Sequence, residues 1–241
     1  MSSPPIDVDV QLGPDGEPIG IIWQRPDYRA AELTSLTTKL LERVADDVAT
    51  RVRDEMRRVL ADSVTFGHHP RETARALQEA YGEVLQSTLS RMLTIARTEQ
   101  LDAYRAGQRA TELANAQVIT GWEWHSVLGT RSCRSCIGMH GTVHPIEESG
   151  PDDHPNGRCY RVPRTKTWRE LGFDIPERRH DRVADADTWF DSLPEAEQRS
   201  FLGPRGYEAW AAGKYPRREW SRERENPGWR RSFVPTTPPK V

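Results

Sequence analysis

The sequence predicts an α+β chain: a long antiparallel helical hairpin, then a small β-rich lobe, then short C-terminal helices, with extended termini. Three observations carry this. Apolar residues recur every three or four positions between residues 29 and 107. Trp122 and Trp124 alternate with Glu123 and His125 just beyond them. All three cysteines, Cys133, Cys136 and Cys159, fall in that later segment. The chain has 241 residues, 36% hydrophobic and 29% charged, with a mean hydropathy of -0.76. That is thin for a single globule using every residue, so a smaller core with polar arms is expected.

Residues 1–26 carry Pro4, Pro5, Pro14, Pro18 and Pro26 and read as an extended arm, which Ile19, Ile21, Ile22 and Trp23 could anchor. The hairpin is placed at 27–115. Its first helix runs from Arg29 to Asp62 with Leu33, Leu36, Leu40, Val44, Val48, Val52, Met56 and Val59 on one stripe, which must lie on a partner. Gly67 interrupts the pattern. Pro70 suits a first helical position, and a second helix runs from there to about Gly107, with an irregularity at Gly82. Leu77, Tyr81, Val84, Leu85, Leu89, Met92, Leu93, Ala96, Leu101 and Tyr104 supply its apolar face.

The β-rich lobe is placed at 116–165, with short strands at 122–125, Thr142–Ile146 and Cys159–Val162; it holds four of the seven histidines. A short helical segment follows at 166–213, with pieces at Trp189–Leu193, Glu195–Phe201 and Tyr207–Ala212. Residues 214–241 hold eight basic and three acidic side chains, a local +5 in a chain of net charge -2, and five prolines. They read as a basic, solvated tail. No apolar stretch reaches the roughly 18–20 residues of a membrane span, and the start has neither a basic nor an apolar signal region. Membrane and export are therefore not expected, and the balanced charge excludes a polycation.

Three clustered cysteines without an export signal point to a metal rather than a disulfide framework. The sequence reads Cys133-Arg-Ser-Cys136, then 17 residues, then His154-Pro-Asn-Gly-Arg-Cys159. A two-residue spacer lets one turn aim two thiolates at one ion, and the second segment closes a tetrahedral Cys₃His set suited to Zn²⁺. Four protein ligands leave no open position, so the zinc is expected to be structural. His140 and His144 lie between the halves and compete with His154. The alternative is a set of buried or redox-active thiols.

At these residues the chain resembles the phage Mu F-like minor head proteins, also called phage head morphogenesis proteins. Ile95-Ala-Arg-Thr-Glu99 with Ala103-Tyr104, then Trp124, then Thr130-Arg-Ser-Cys-Arg-Ser-Cys136 with Gly138 and Gly141, are similar to that family's motifs. His154-Pro-Asn-Gly-Arg-Cys159 is similar to its H-P-N-C-R-C, with Gly157 where the family often has a cysteine. Trp189-Phe-Asp-Ser-Leu193, Glu197-Gln198 and Leu202-Gly203-Pro-Arg205 through Gly213-Lys214 extend the resemblance, which covers about residues 35–214. It implies a non-enzymatic virion protein at the portal vertex or capsid interior, made in the bacterial host cytoplasm. Its implied partners are the portal protein and other head proteins, scaffold or major capsid. Its implied roles are head morphogenesis and the handling of DNA at the vertex.

Arg97 shares a stripe with Leu89, Leu93, Leu101 and Tyr104, where a charge is costly unless paired. Arg97 or Glu99 is thus expected to clasp the lobe onto the hairpin, a solvated helix edge being the alternative. Two other functions fit parts of the sequence. A treble-clef nuclease of the His-Asn-His type would use a CxxC zinc frame but needs a histidine base and an open divalent-ion site. A zinc-knuckle nucleic-acid binder would use the tail, where Arg217, Arg218, Trp220, Arg222, Arg224, Trp229, Arg230 and Arg231 interleave cations with rings that could contact packaged DNA.

Overall fold

The computed structural model describes residues 10–12, 14–16, 18–24, 50–83, 89–174, 176–177, 185–227 and 230–241. Helix α1 is Thr50–Phe66, α2 is Pro70–Tyr81 and α3 is Leu89–Ala114. The expected helical stretch 29–49 lies outside the described residues. Met56 and Leu60 of α1, Ala74 and Leu77 of α2, and Met92, Ile95 and Ala96 of α3 form one buried cluster. Positions three and four apart put these side chains on one face of each helix, and burying them stabilises each by about 1.5–3 kcal/mol for the larger ones.

The sharp end of the α1–α2 turn is written in the sequence. Gly67 takes φ +69°, which favours glycine. His69 caps α2 by accepting from the Arg71 N–H at 3.2 Å, while the Glu72 carboxylate accepts from the His69 N–H at 3.2 Å. Pro70 occupies the first helical position.

Among the described residues the expected two-helix hairpin is instead three helices, because α2 ends at Tyr81 and α3 begins at Leu89. Tyr81 donates to Glu55 Oε2 at 3.3 Å, and Gln100 Nε2 donates to Ser63 Oγ at 2.9 Å and Thr73 Oγ1 at 3.3 Å. These contacts make α1 and α2 antiparallel, and α2 and α3 antiparallel. The buried stripe of α3 also differs from the expected one. Leu89 and Tyr104 are exposed, while Thr98, Glu99, Gln100, Asp102 and Arg105 are buried. Gln100 faces α1 and α2, whereas Asp102, Arg105 and Glu112 face the lobe and the C-terminal segment, so polar positions are buried along α3.

The lobe is a three-stranded antiparallel sheet. Strand β3 (Ile119–His125) lies between β4 (Val143–Pro145) and β5 (Tyr160–Thr165), and α4 (Arg134–Met139) sits in the connection between β3 and β4. A separate hairpin, β1 (Val10–Leu12) with β2 (Pro18–Ile21), precedes the helices. It leads to Gln24, whose backbone N–H and C=O both bond the Asn115 side chain, at 2.7 and 2.9 Å.

The C-terminal region adds α5 (Ala186–Asp191), α6 (Glu195–Leu202), α7 (Pro204–Ala211), a 3₁₀ turn at Arg217–Glu219, and a hairpin of β6 (Ser221–Arg224) with β7 (Ser232–Pro235). This differs from the extended tail read from composition. Ile137 of α4 joins Phe190, Leu202, Ala209, Tyr215 and Trp220 in one buried cluster. Phe190 meets Trp220 edge-on at 4.9 Å, and the Trp220 Nε1–H donates to the Tyr215 carbonyl at 3.0 Å. Gly138 permits this packing, since a Cβ there would lie 3.2 Å from the Arg217 carbonyl oxygen. The prolines and arginines suggested solvent. Buried aromatic rings decided otherwise.

Candidate metal centre

Cys133 is the N-cap of α4, and its Sγ accepts from the Cys136 N–H at 3.3 Å. That single turn sets the two sulfurs 3.3 Å apart. His154, on the loop ahead of β5, brings Nε2 to 3.1 Å from Cys133 Sγ and 3.6 Å from Cys136 Sγ. The edges of a zinc tetrahedron with Zn–S near 2.3 Å are about 3.7 Å, so these spacings suit one ion. Cys136 Sγ also lies within 4.8 Å of Cys159 Sγ and an Asp153 carboxylate oxygen. Cys133, Cys136, His154 and Cys159 therefore form a cluster that could hold a metal ion.

The His154 ring is oriented from behind. Its Nδ1 lies 2.9 Å from the Pro155 carbonyl, which can only accept, so the proton is on Nδ1 and Nε2 faces the sulfurs. The hydrogen bond from Cys136, outweighing burial, and then His154 pull the Cys133 thiol down to about 4. The Cys133 sulfur in turn raises His154 to about 9. Cys136 is pushed up by Cys133, then by Cys159 and burial. Without metal, Cys133 is held as a thiolate while Cys136 and His154 keep their protons, and binding an ion releases those two protons.

A layer of buried ion pairs supports the cluster. Arg105 Nη1 and Nη2 hold the Asp153 carboxylate at 2.9 and 2.8 Å, Nη1 also reaches Asp102 at 2.9 Å, and Nε donates to the Cys159 carbonyl at 3.0 Å. Burial lowers the Arg105 proton affinity, but the charges of Asp153 and then Asp102 outweigh it and raise it. Asp153 Oδ2 also accepts from the Cys159 N–H at 3.1 Å. Arg161 donates to Glu112 Oε2 at 2.9 Å from Nε and 2.5 Å from Nη2, and its guanidinium lies 4.4 Å from the Trp122 ring centre.

Gly157 lies against this layer. A Cβ at that position would sit 2.0 Å from Asp153 Oδ2. The Asp153 carboxylate thus occupies the room that a side chain at 157 needs, in a motif where the resembled family often has cysteine. A Gly157→Ala variant is expected to lose about 1–3 kcal/mol by overpacking, read as a lower urea midpoint at unchanged slope.

The other expected site residues fall as follows. Arg97 donates from Nη1 to Asn156 Oδ1, and the Asn156 N–H donates to Thr98 Oγ1 at 2.9 Å, so this turn of α3 touches the metal loop. Glu99 is buried. His140 Nδ1 accepts from the Ser126 N–H at 3.1 Å, and its ring lies 4.8 Å from that of His125. His144 stacks on Trp122 at 4.3 Å between Thr142 and Glu148. Neither histidine joins a metal-ligand cluster found among the described residues.

Of the tail residues, Trp220 is fully buried and does not present its ring for stacking. Arg217 pairs with Asp187 at 2.8 Å and donates to the Ile137, Gly138 and His140 carbonyls. Arg230 pairs with Asp102 at 3.0 Å and Asp153 at 3.3 Å, and Arg231 with Asp152 at 2.8 Å and Glu148 at 2.5 Å. Arg218, Arg222 and Arg224 are exposed, and Trp229 lies outside the described residues.

The sequence reading did not single out Asp102, Arg105, Glu112, Asp153 or Arg161 as a supporting layer. The signal available was the run of charges along α3, in register with its buried face.

Residues 54–162 match the family model described as phage Mu protein F like protein. The matched segment begins in α1, ends within β5 and contains all four donors of the cluster. It is the family that the sequence motifs resemble. No curated protein and no solved structure matches the chain.

Proposed function

From the match of residues 54–162 to phage Mu protein F like proteins, we propose that this chain is a structural protein of a bacteriophage head. In this reading it is a minor capsid protein that associates with the portal and acts in head morphogenesis. The observation that carries the reading is the family match over the segment that contains the closed donor set. The metal is Zn²⁺, held by Cys133, Cys136, His154 and Cys159. Four protein donors, with Cys136 and Cys159 buried, favour a structural ion that ties α4 to the loop before β5.

Nuclease chemistry fits less well. His154 faces the sulfurs, and His144 is stacked on Trp122 between two polar neighbours. Asp152 and Asp153 are engaged by Arg231 and Arg105, which leaves these carboxylates poorly placed to receive a second divalent ion.

The test is co-expression with the portal, scaffold and major capsid proteins of the same phage. Affinity capture of this chain is expected to recover portal protein, with one zinc per chain in the same sample. Recovery of no portal or shell protein overturns the assembly reading. Mg²⁺- or Mn²⁺-dependent nicking by the purified chain, lost in a His144→Ala variant, would favour the nuclease.

A further inference from the structure

Arg217, Arg230 and Arg231 of the C-terminal segment are committed to ion pairs. Three arginines lie on separate elements that meet along α3 next to the His154–Cys159 loop. Arg97 on α3 touches Asn156, and Arg158 follows two residues later on the same loop, exposed. Gln100, one turn after Arg97, bonds Thr73 Oγ1 in the first turn of α2, and the exposed Arg71 precedes Thr73 by two residues. The N-terminal turn of α2 and the metal loop are thereby held against adjacent turns of α3.

Among the described residues no carboxylate is found paired with any of the three guanidinium groups. The carboxylate next to Arg71, that of Glu72, instead accepts from the His69 N–H. The Asn156 side chain accepts from Arg97 through Oδ1, which leaves its Nδ2 as a further exposed donor. Partial burial and then the like charges of Arg158 and Arg71 hold Arg97 below the ordinary guanidinium range. Like charges gathered without a paired acid cost free energy in the free protein, and an anion placed between them relieves that cost.

We propose that Arg71, Arg97, Arg158 and the Asn156 amide form a binding site for the phosphate backbone of nucleic acid. Guanidinium forks match the free oxygens of a phosphodiester and give bidentate, sequence-independent contacts. A row of cations and amide donors suits a repeating phosphate chain, whereas a protein partner is ordinarily recognised by apolar anchors within a polar rim. The site goes beyond the head-assembly reading. It needs no portal contact, so either can fail while the other stands.

The experiment is fluorescence-anisotropy titration of the zinc-loaded full chain with a labelled 30-base-pair DNA duplex across a series of salt concentrations. Arg71→Ala with Arg158→Ala, two exposed substitutions, is expected to weaken binding at least tenfold. It should also lower the slope of log affinity against log salt by about two, near 0.9 per phosphate contact. Thermal midpoint and zinc content should remain those of the parent. Adding Arg97→Gln should weaken binding further.

Binding unchanged in the double variant overturns the site. So does loss of binding in Arg218→Ala/Arg222→Ala/Arg224→Ala with the double variant unaffected. Polyglutamate displacing the duplex at equal charge would also overturn it, in favour of an acidic protein surface.

Discussion

On the proposed zinc reading, treatment with a strong chelator, or replacement of Cys136 with serine, is expected to unfold the lobe between residues 119 and 165 while α1, α2 and the first half of α3 stay helical. A structural zinc contributes on the order of 10 kcal/mol or more to such a site, which matches or exceeds the whole stability of most domains. The lobe has little else to replace it. Its cluster is Trp122, Trp124, Cys136 and Cys159, so two of its four buried members belong to the candidate metal cluster. The helices, by contrast, carry their own cluster around Met56, Leu60, Leu77 and Met92. Near-ultraviolet circular dichroism follows Trp122 and Trp124, far-ultraviolet the helices, and metal content is read on the same samples. A near-ultraviolet spectrum and thermal midpoint unchanged at zero metal would show the lobe to be held by packing alone.

The second large effect is expected at Arg161. Its side chain is 0% exposed and that of its partner Glu112 2%. Arg161→Leu leaves a buried carboxylate without its cation, and losses of about 3–5 kcal/mol follow when one partner of such a pair is removed. The double change Glu112→Leu/Arg161→Leu should recover much of that loss, because the pair itself is close to neutral. Burial is the largest influence on both groups, raising Glu112 and lowering Arg161 against their mutual attraction. Urea unfolding of the two single variants and the double variant closes the cycle. A double variant as unstable as Arg161→Leu would mean that the carbonyl contacts of Arg161 to Glu148 and Gly150, or its stacking on Trp122, carry the stability.

The parts of the fold that depend on local spacing were legible in the sequence. Two thiols with a two-residue spacer fall on one helical turn, and Gly67 with Pro70 marks a reversal, because only neighbours in the chain are involved. Periodicity also gave helix at 50–62 and over most of 70–107, the part of the first stretch at 29–49 lying outside the described residues, but not the chain reversal between α2 and α3. An apolar stripe reads the same whether its helix continues or folds back near a glycine such as Gly82.

The ion pairs were not legible. Arg230 and Asp102 are 128 residues apart, and a charged residue that will be buried looks in sequence like one that will be solvated. The same blindness made 214–241 read as a tail. Eight cations dominate its composition, while its place is set by Trp220, Tyr215 and Phe233.

The seating of that C-terminal hairpin has a consequence for the order in which the protein matures. Phe233 packs edge-on against Trp124 at 5.3 Å, and its backbone N–H donates to the Asp152 carbonyl at 2.9 Å. Arg230 of the same segment adds to the Arg105 countercharge at Asp102 and Asp153, and Arg231 pairs with Asp152 beside the donor loop. On the ribosome, every sulfur donor has emerged long before this lid exists. Until residues 230–233 have emerged, the nascent lobe therefore exposes the face of Trp124 that Phe233 covers and leaves Asp152 without its Arg231 partner. A fragment cut to the family boundary at residue 162 would remain in that immature state permanently.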